Sequence, residues 1–295
     1  MATLLQDTPK TRDEKLASSA SRAFRTILTH VSSDAEEAPR VEAAVALARS
    51  LDATLFGVGC EMTPPMAATD PTGLMQSQWF EAMEEVVRSN LERARQLFLD
   101  QAHGLHTDWI AAQAEPSDGI ARLSRGADLI VAGGRASGRG ERYRSADTGE
   151  LTLRSGRPVL VVPPTGGELE ARSVVVAWKD TREARRALSD ALPFLQAAET
   201  VAVLDVCDDN EVMAAETGTA AVVAGLARHD VAAHARVVTA PAHRVATELN
   251  IAAQAIGADL IVAGGYGHSR LGEWVFGGVT YDLLHHPERF VLLSH

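Results

Sequence analysis

The sequence predicts an α/β protein built from two tandem five-stranded, mostly parallel sheets, each with helices on both faces. Three observations support this fold class. Short apolar runs rich in β-branched residues alternate with segments of helical spacing, which is typical of parallel sheets covered on both sides. The order of these segments restarts about halfway along the chain. The run ADLIVAGG occurs at residues 127–134 and again at residues 258–265, which indicates two copies of one small α/β unit.

The first copy begins at Phe24 and alternates strands with helices. Proline and serine at 116 and 117 open one of the helices, as they do at many helix N-termini. The predicted strands cover residues 26–31, 53–58, 107–111, 127–132 and 157–162, and the predicted helices cover residues 36–51, 76–102, 116–125 and 145–155.

The second copy repeats this order. The main difference in length is the second helix with its loop, which is longer in the first copy. The predicted strands cover residues 174–178, 201–206, 235–238, 258–263 and 289–293, and the predicted helices cover 181–198, part of 209–228, 241–256 and a segment that begins at Gly277.

Composition shifts predict the domain boundaries. Residues 1–23 are polar and rich in Ala, Ser and Thr, and we expect a flexible N-terminal tail there. Pro, Thr and Gly at 163–167 indicate a linker, which we place at 165–171. The first domain is then 24–164 and the second is 172–295.

The composition excludes some classes of partner. The net charge of -11 argues against nucleic acid or an anionic membrane as the main partner, because both attract basic surfaces. Two cysteines give no disulfide framework, so Cys60 and Cys207 are expected to be buried thiols. No apolar run reaches membrane-spanning length and no signal-peptide core is visible, so the expected location is the cytoplasm.

The strand at 258–263 is followed by a glycine-rich turn and a helix. Glycines at such a turn let a ligand approach the backbone, and the N-terminus of the helix offers unpaired N–H groups to an anion. The segment therefore indicates a phosphate cradle. It has no Gly-Lys-Ser/Thr of a Walker A loop, and it lacks the third glycine of a dinucleotide fingerprint. The alternative is that the glycines only allow a tight connection between strand and helix.

The spacing Gly264, two residues, Gly267, nine residues, Gly277 resembles the nucleotide-binding signature of the universal stress protein family. The stretch VVVAWKDTREARRALSDALP at 174–193 resembles the opening of the second half of two-domain bacterial members. The resemblance covers nearly all of residues 24–295. It implies that the fifth strands of the two copies pair edge to edge, so that the chain forms an internal pseudo-dimer.

The same resemblance implies an ATP site in the second copy. Gly264, Gly267 and Gly277 match the phosphate-loop positions. The family follows the last glycine with Ser or Thr, whereas this chain has Gly278, and the nearest hydroxyl belongs to Thr280.

Four further residues complete the expected site. Val206 falls where the family's main chain contacts adenine, and Lys179 replaces the family's Asp after the first strand. Lys179 either pairs with a phosphate or is a solvated side chain, and the second alternative is favoured. His268 and Ser269 lie within reach of a phosphate, with solvated or helix-capping side chains as the alternative.

The first copy has lost the motif. Ala136 stands where the second glycine belongs, and Asp147 and Glu150 flank the last glycine position, where like charge weakens anion binding. The intervening loop carries a basic cluster, which either holds an anion in another way or is solvated: Arg135, Arg139, Arg142 and Arg144. The first copy is therefore expected to be a structural or regulatory partner.

No catalytic motif or metal-binding spacing is present, and His285, His286 and His295 lack evident further ligands. We therefore expect a stress-response protein that is not an enzyme and whose second copy binds ATP or another adenine nucleotide, with Mg²⁺ only when nucleotide is bound. The alternative is a nucleotide-free interaction or scaffold protein for an unidentified protein partner. Slow ATP hydrolysis is a third interpretation. Further assembly into a homodimer is left open.

Overall fold

The computed structural model describes residues 24–34, 38–65, 74–134, 143–266, 278–285 and 287–295. The predicted tail at 1–23 lies outside the described residues, as does most of the glycine-rich turn. None of the described helices is both long enough and apolar enough to cross a membrane.

The first half contains the predicted strands and helices in the predicted order, with bounds that differ by a few residues. Its strands are β1 (Thr26–His30), β2 (Thr54–Glu61), β3 (Thr107–Gln113), β4 (Leu129–Gly133) and β5 (Val159–Val162), and its helices are α1 (Ala38–Leu51), α2 (Leu74–Gln101), α3 (Pro116–Leu123) and α4 (Thr148–Arg154).

The second half repeats this order from β6 onwards. Its strands are β6 (Ser173–Ala177), β7 (Thr200–Cys207), β8 (Ala233–Thr239), β9 (Leu260–Gly264) and β10 (Phe290–Ser294), and its helices are α5 (Arg182–Ala197), α6 (Val212–Ala227), α7 (Val245–Ala255) and α8 (Gly278–His285). The second helix of each half differs as expected, with 28 residues in α2 and 16 in α6.

The ten strands form one sheet in the order β3-β2-β1-β4-β5-β10-β9-β6-β7-β8. Every pairing within a half is parallel. Among the described strands, one pairing is antiparallel and joins the halves, where Val161 of β5 lies opposite Val291 of β10. The predicted fold class and the edge-to-edge pairing of the fifth strands are therefore confirmed. The exact domain boundaries and the linker at 165–171 stay predictions.

The hydrophobic core joins the two halves on one face of the sheet. There a single cluster of buried side chains runs from α1 and α2 in the first half to α5 in the second. Phe24, which precedes β1, stacks on Phe194 of α5 with ring centroids 5.3 Å apart. On the opposite face, α3 and α4 cover one cluster, and α7 and α8 cover another. Because the shared cluster buries apolar surface from both halves, the halves stabilise each other.

Both cysteines are free and buried, as predicted. Burial raises the pKa of the Cys60 thiol to about 11, and it also raises the pKa of Cys207. Thiols in such surroundings are poor nucleophiles, because the thiolate is the reactive form.

Candidate functional site

A cavity of about 410 Å³ opens in the second half, where β6, β7 and β9 end. Open α/β sheets hold ligands at this carboxyl edge. The cavity lies between the strand ends, the entry to α7 and the N-terminus of α8. Its lining residues are Ala177, Trp178, Lys179, Thr181, Ala184, Leu204, Val206, Cys207, Asp208, Glu211, Ala240, Ala242, Val245, Leu249, Ala263, Gly264, Gly278, Val279 and Thr280.

One wall of the cavity is apolar. Leu204 and Val206 of β7 face the same side of the sheet as Leu249 of α7, and all three belong to the core cluster under α7 and α8. A short 3-10 turn, Ala242–Arg244, precedes α7. In the first half, α3 instead begins directly at Pro116 and is capped by the Glu115 side chain.

The N-terminus of α8 forms the opposite side of the cavity. The helix begins at Gly278, which lines the cavity and is exposed. The first N–H groups of a helix have no partner within the helix, and the helix dipole favours an anion beside them. Thr280 is buried, and its hydroxyl accepts a hydrogen bond from the Tyr266 backbone N–H at 3.4 Å. This end of the cavity is therefore suited to a negatively charged group.

Gly264 and Gly278 have different physical roles. A Cβ on Gly264 would lie 2.5 Å from the backbone nitrogen of Ala184, so the close packing of β9 against the first turn of α5 requires glycine there. A Cβ on Gly278 would meet no described atom within 4 Å. Packing among the described residues therefore explains Gly264 and does not explain Gly278.

Lys179 is held by acidic side chains at the other end of the cavity. Its Nζ donates a hydrogen bond to Glu211 Oε2 at 2.8 Å and lies 3.8 Å from Asp205 Oδ1. Burial by itself lowers the pKa of Lys179, but the hydrogen bond to Glu211 and the charges of Asp205 and Glu211 raise it overall. Lys179 is exposed, as the favoured expectation has it, and its ammonium group also pairs with two carboxylates.

The sequence analysis missed Asp205 and Glu211. Asp205 is 4% exposed, although it lies in the otherwise apolar strand β7. Burial raises the pKa of Asp205; Lys179 opposes this rise and Glu211 adds to it. A single carboxylate within the run VAVLDVC is the signal that marked this position. No comparable signal marked Glu211, because it lies in a polar segment.

The first half has no matching arrangement among its described residues. Asp147 caps α4 with its own carboxylate, which accepts the Glu150 backbone N–H at 3.1 Å. This confirms that a carboxylate stands near the last glycine position of the first half. Arg144 lies 3.2 Å from Asp34 and 3.4 Å from the buried Glu61. This arginine of the basic cluster is therefore paired with carboxylates, whereas a solvated side chain was expected.

The structure places five of the nine predicted site residues around one cavity: Lys179, Val206, Gly264, Gly278 and Thr280. The other four lie outside the described residues: Gly267, His268, Ser269 and Gly277. Among the described residues, no group of three or more His, Cys, Asp or Glu side chains could hold a metal ion.

The family model of the Universal stress protein family matches residues 170–295. Residues 170–295 therefore form a universal stress protein domain. The match covers the whole cavity, and it confirms the resemblance drawn from the glycine spacing. The first half of the chain lies outside this match, and it repeats the strand order of the second half.

Solved structures share the two-half architecture. A universal stress protein from Archaeoglobus fulgidus DSM 4304 is 13% identical, and the match covers 91% of this chain and 95% of that one with a TM-score of 0.67. A functionally unknown protein from Pseudomonas aeruginosa PAO1 is 18% identical over 93% and 94% of the two chains, with a TM-score of 0.54. At these identities the likeness shows the fold of this chain and nothing about its ligand.

A universal stress protein in complex with cAMP is 18% identical, and the match covers 48% of this chain and 97% of that one with a TM-score of 0.31. That score is too low to support an argument about a ligand. No curated protein matches the sequence.

Proposed function

We propose that this chain is a stress-response protein of the universal stress protein type, whose second half binds an adenine nucleotide as a regulatory ligand. The observation that carries the proposal is the cavity itself, because it combines an apolar wall with the first residues of α8. Its volume of about 410 Å³ is in the usual range for small-molecule sites. The phosphates would lie at α8, and the base would lie against Leu204 and Val206.

The residues at the far end of the cavity fit this orientation. The family's Asp after the first strand is replaced by Lys179, but Asp208 and Glu211 bring carboxylates to the same end. Carboxylates accept hydrogen bonds from the hydroxyl or amino groups of a nucleoside, and they repel its phosphates. The carboxylates would therefore contact the nucleoside and the N-terminus of α8 would contact the phosphates. This arrangement favours one orientation of a bound nucleotide.

Two observations favour the alternative, a nucleotide-free interaction or scaffold protein. The glycine at 264 is explained by packing against α5 alone. The charge of Lys179 is already neutralised, so it adds little attraction for a phosphate. On this alternative the open end of α8 would have no anionic ligand, and an unidentified protein partner would carry the function.

The deciding experiment begins with mass spectrometry of small molecules released from the freshly purified, denatured protein. Calorimetric titration of the folded full chain with ATP, ADP and AMP follows, with and without Mg²⁺. We expect saturable binding with one site per chain. Folded protein that releases no nucleotide and gives no heat with any of the three would refute the proposal and favour the scaffold.

A further inference from the structure

We propose that Tyr266 is a positioning residue that couples the cavity of the second half to helix α4 of the first half. This inference rests on the proposed function, because the element that Tyr266 positions is the N-terminus of α8. Tyr266 is not among the residues that line the cavity, so it would act through α8 and make no contact with the ligand.

The backbone of Tyr266 is held in an unusual conformation. Its φ is +61°, which lies in the left-handed region of backbone conformation. Residues other than glycine, asparagine, aspartate and histidine rarely adopt this region. Such a conformation persists only where the surroundings impose it. Its backbone N–H donates to the hydroxyl of Thr280 in the first turn of α8, so the position of Tyr266 and that of α8 are linked directly.

The side chain of Tyr266 reaches the first half. Its ring packs against the core cluster beneath α7 and α8, and its hydroxyl lies against Gly149 in the first turn of α4. A Cβ on Gly149 would overlap that hydroxyl and would lie 3.1 Å from the Tyr266 Cζ. The absence of a side chain at Gly149 is therefore what allows Tyr266 to take this position.

Neighbouring glycines show that the contact is part of a reciprocal arrangement. A Cβ on Gly265 would lie 2.8 Å from the Cγ2 of Thr152 in α4. At the corresponding position of the first half, a Cβ on Gly134 would lie 3.2 Å from the carbonyl oxygen of Leu284 in α8. Each half thus packs the glycines that follow its fourth strand against the last helix of the other half.

These contacts assign a role to the half that has lost the glycine motif. Helix α4 keeps its own carboxylate at its N-terminus and supports the residue that fixes the N-terminus of α8. A shift of α4 would therefore move Tyr266, and with it the end of the cavity that receives the anion. The first half would adjust ligand affinity without contacting the ligand.

Gly149→Ala tests the coupling, with Gly126→Ala as the matched control. Gly126 also lies in the first half, and a Cβ there would meet nothing within 4 Å. We expect Gly149→Ala to weaken ATP binding by roughly three- to thirtyfold, the range measured for residues that couple without touching a ligand. Hydrogen exchange at 278–285 in the ligand-free protein should be faster than in wild type. Gly126→Ala should change neither quantity.

Tyr266→Phe distinguishes coupling from a local effect on α4. Removing the hydroxyl relieves the overlap and leaves the Tyr266 Cζ at 3.1 Å and the Asp147 Oδ1 at 3.0 Å from the methyl position, so Gly149→Ala combined with Tyr266→Phe should recover much of the affinity and of the exchange protection. If Gly149→Ala does not fold, recovery of folded protein in the double variant is the supporting result. Failure of Tyr266→Phe to rescue Gly149→Ala would overturn the inference, as would exchange in Gly149→Ala equal to that in Gly126→Ala. The exchange measurement needs no nucleotide, so it decides the coupling even if wild-type protein binds no ATP.

Discussion

Gly278 offers the sharpest test of the anion site, because it lines the cavity and has room for a side chain. Gly278→Asp would place a carboxylate at the first residue of α8, close to the position that Asp147 occupies as the N-cap of α4. Two unit charges about 5 Å apart repel by about 1–3 kcal/mol at an effective dielectric constant between that of water and about 20. ATP affinity should therefore fall by roughly five- to 150-fold.

The same substitution should not destabilise the fold. An acidic side chain in the first turn of a helix stabilises it by about 0.3–1 kcal/mol. We therefore expect the urea midpoint of Gly278→Asp to be equal to or above that of wild type while its affinity for ATP falls. Opposite signs for stability and affinity rule out a folding defect as the cause.

Two further variants at this position complete the test, and calorimetric titration measures their ATP affinities. Gly278→Ser returns the hydroxyl that the family places here, and a hydrogen bond to a charged phosphate contributes about 1.5–3 kcal/mol, or roughly tenfold or more in affinity. Gly278→Ala adds bulk alone and should stay within about twofold of wild type. Equal ATP affinities for the Gly278→Asp, Gly278→Ser and Gly278→Ala variants would refute an anion site at this position.

Three further outcomes follow from the buried groups. Lys179→Met removes the cation that lowers the pKa of Asp205, and an unpaired buried carboxylate costs about 1–3 kcal/mol. Because the pKa of Asp205 is raised in the folded state, this loss should be largest at pH 7 and should shrink as the pH falls towards 4. Urea unfolding at pH 7 and at pH 4 measures this loss of stability. Lys179→Met combined with Asp205→Asn should restore stability at pH 7, whereas equal losses at both pH values for Lys179→Met alone would contradict the prediction. Phe194→Ala should cost about 3–5 kcal/mol in the same assay, because Phe194 is fully buried and stacks on Phe24. A cost below about 1 kcal/mol would show that the shared core does not join the halves. The raised thiol pKa values of Cys60 and Cys207 predict no reaction with a thiol reagent at pH 8 until the protein is denatured; rapid labelling of native protein would contradict this.

Much of the fold was predictable because the sequence carries local signals for it. The ADLIVAGG repeat marks the same strand in both halves, and it aligns Leu129 with Leu260 as the first residues of β4 and β9. Buried parallel strands need continuous apolar runs, and such runs can be recognised without any tertiary information. The pairing of β5 with β10 came only from the family resemblance, because neither apolar run specifies its partner.

The candidate site was predictable only in part. The glycine spacing located Gly264, and the family resemblance drew attention to Gly278 as the residue after the last glycine. Neither showed that packing against α5 explains Gly264 and does not explain Gly278. The ion pair between Lys179 and Glu211 joins residues 32 positions apart, so its formation depends on how the loops after β6 and β7 fold. Contacts between the halves, such as Tyr266 on Gly149, depend on tertiary packing and leave no periodic signal in the sequence.

The antiparallel pairing of β5 with β10 determines how the contact between the two halves responds to dilution of the protein. Two separate chains that pair through an edge strand dissociate when their concentration falls below the dissociation constant. Here both partners belong to one polypeptide, and linked partners face an effective concentration near the millimolar range whatever the concentration of the protein. At protein concentrations well below this value, each half therefore pairs with its own counterpart in preference to a half of another chain. Such an arrangement allows one half to diverge, because its counterpart keeps a fixed neighbour in every molecule.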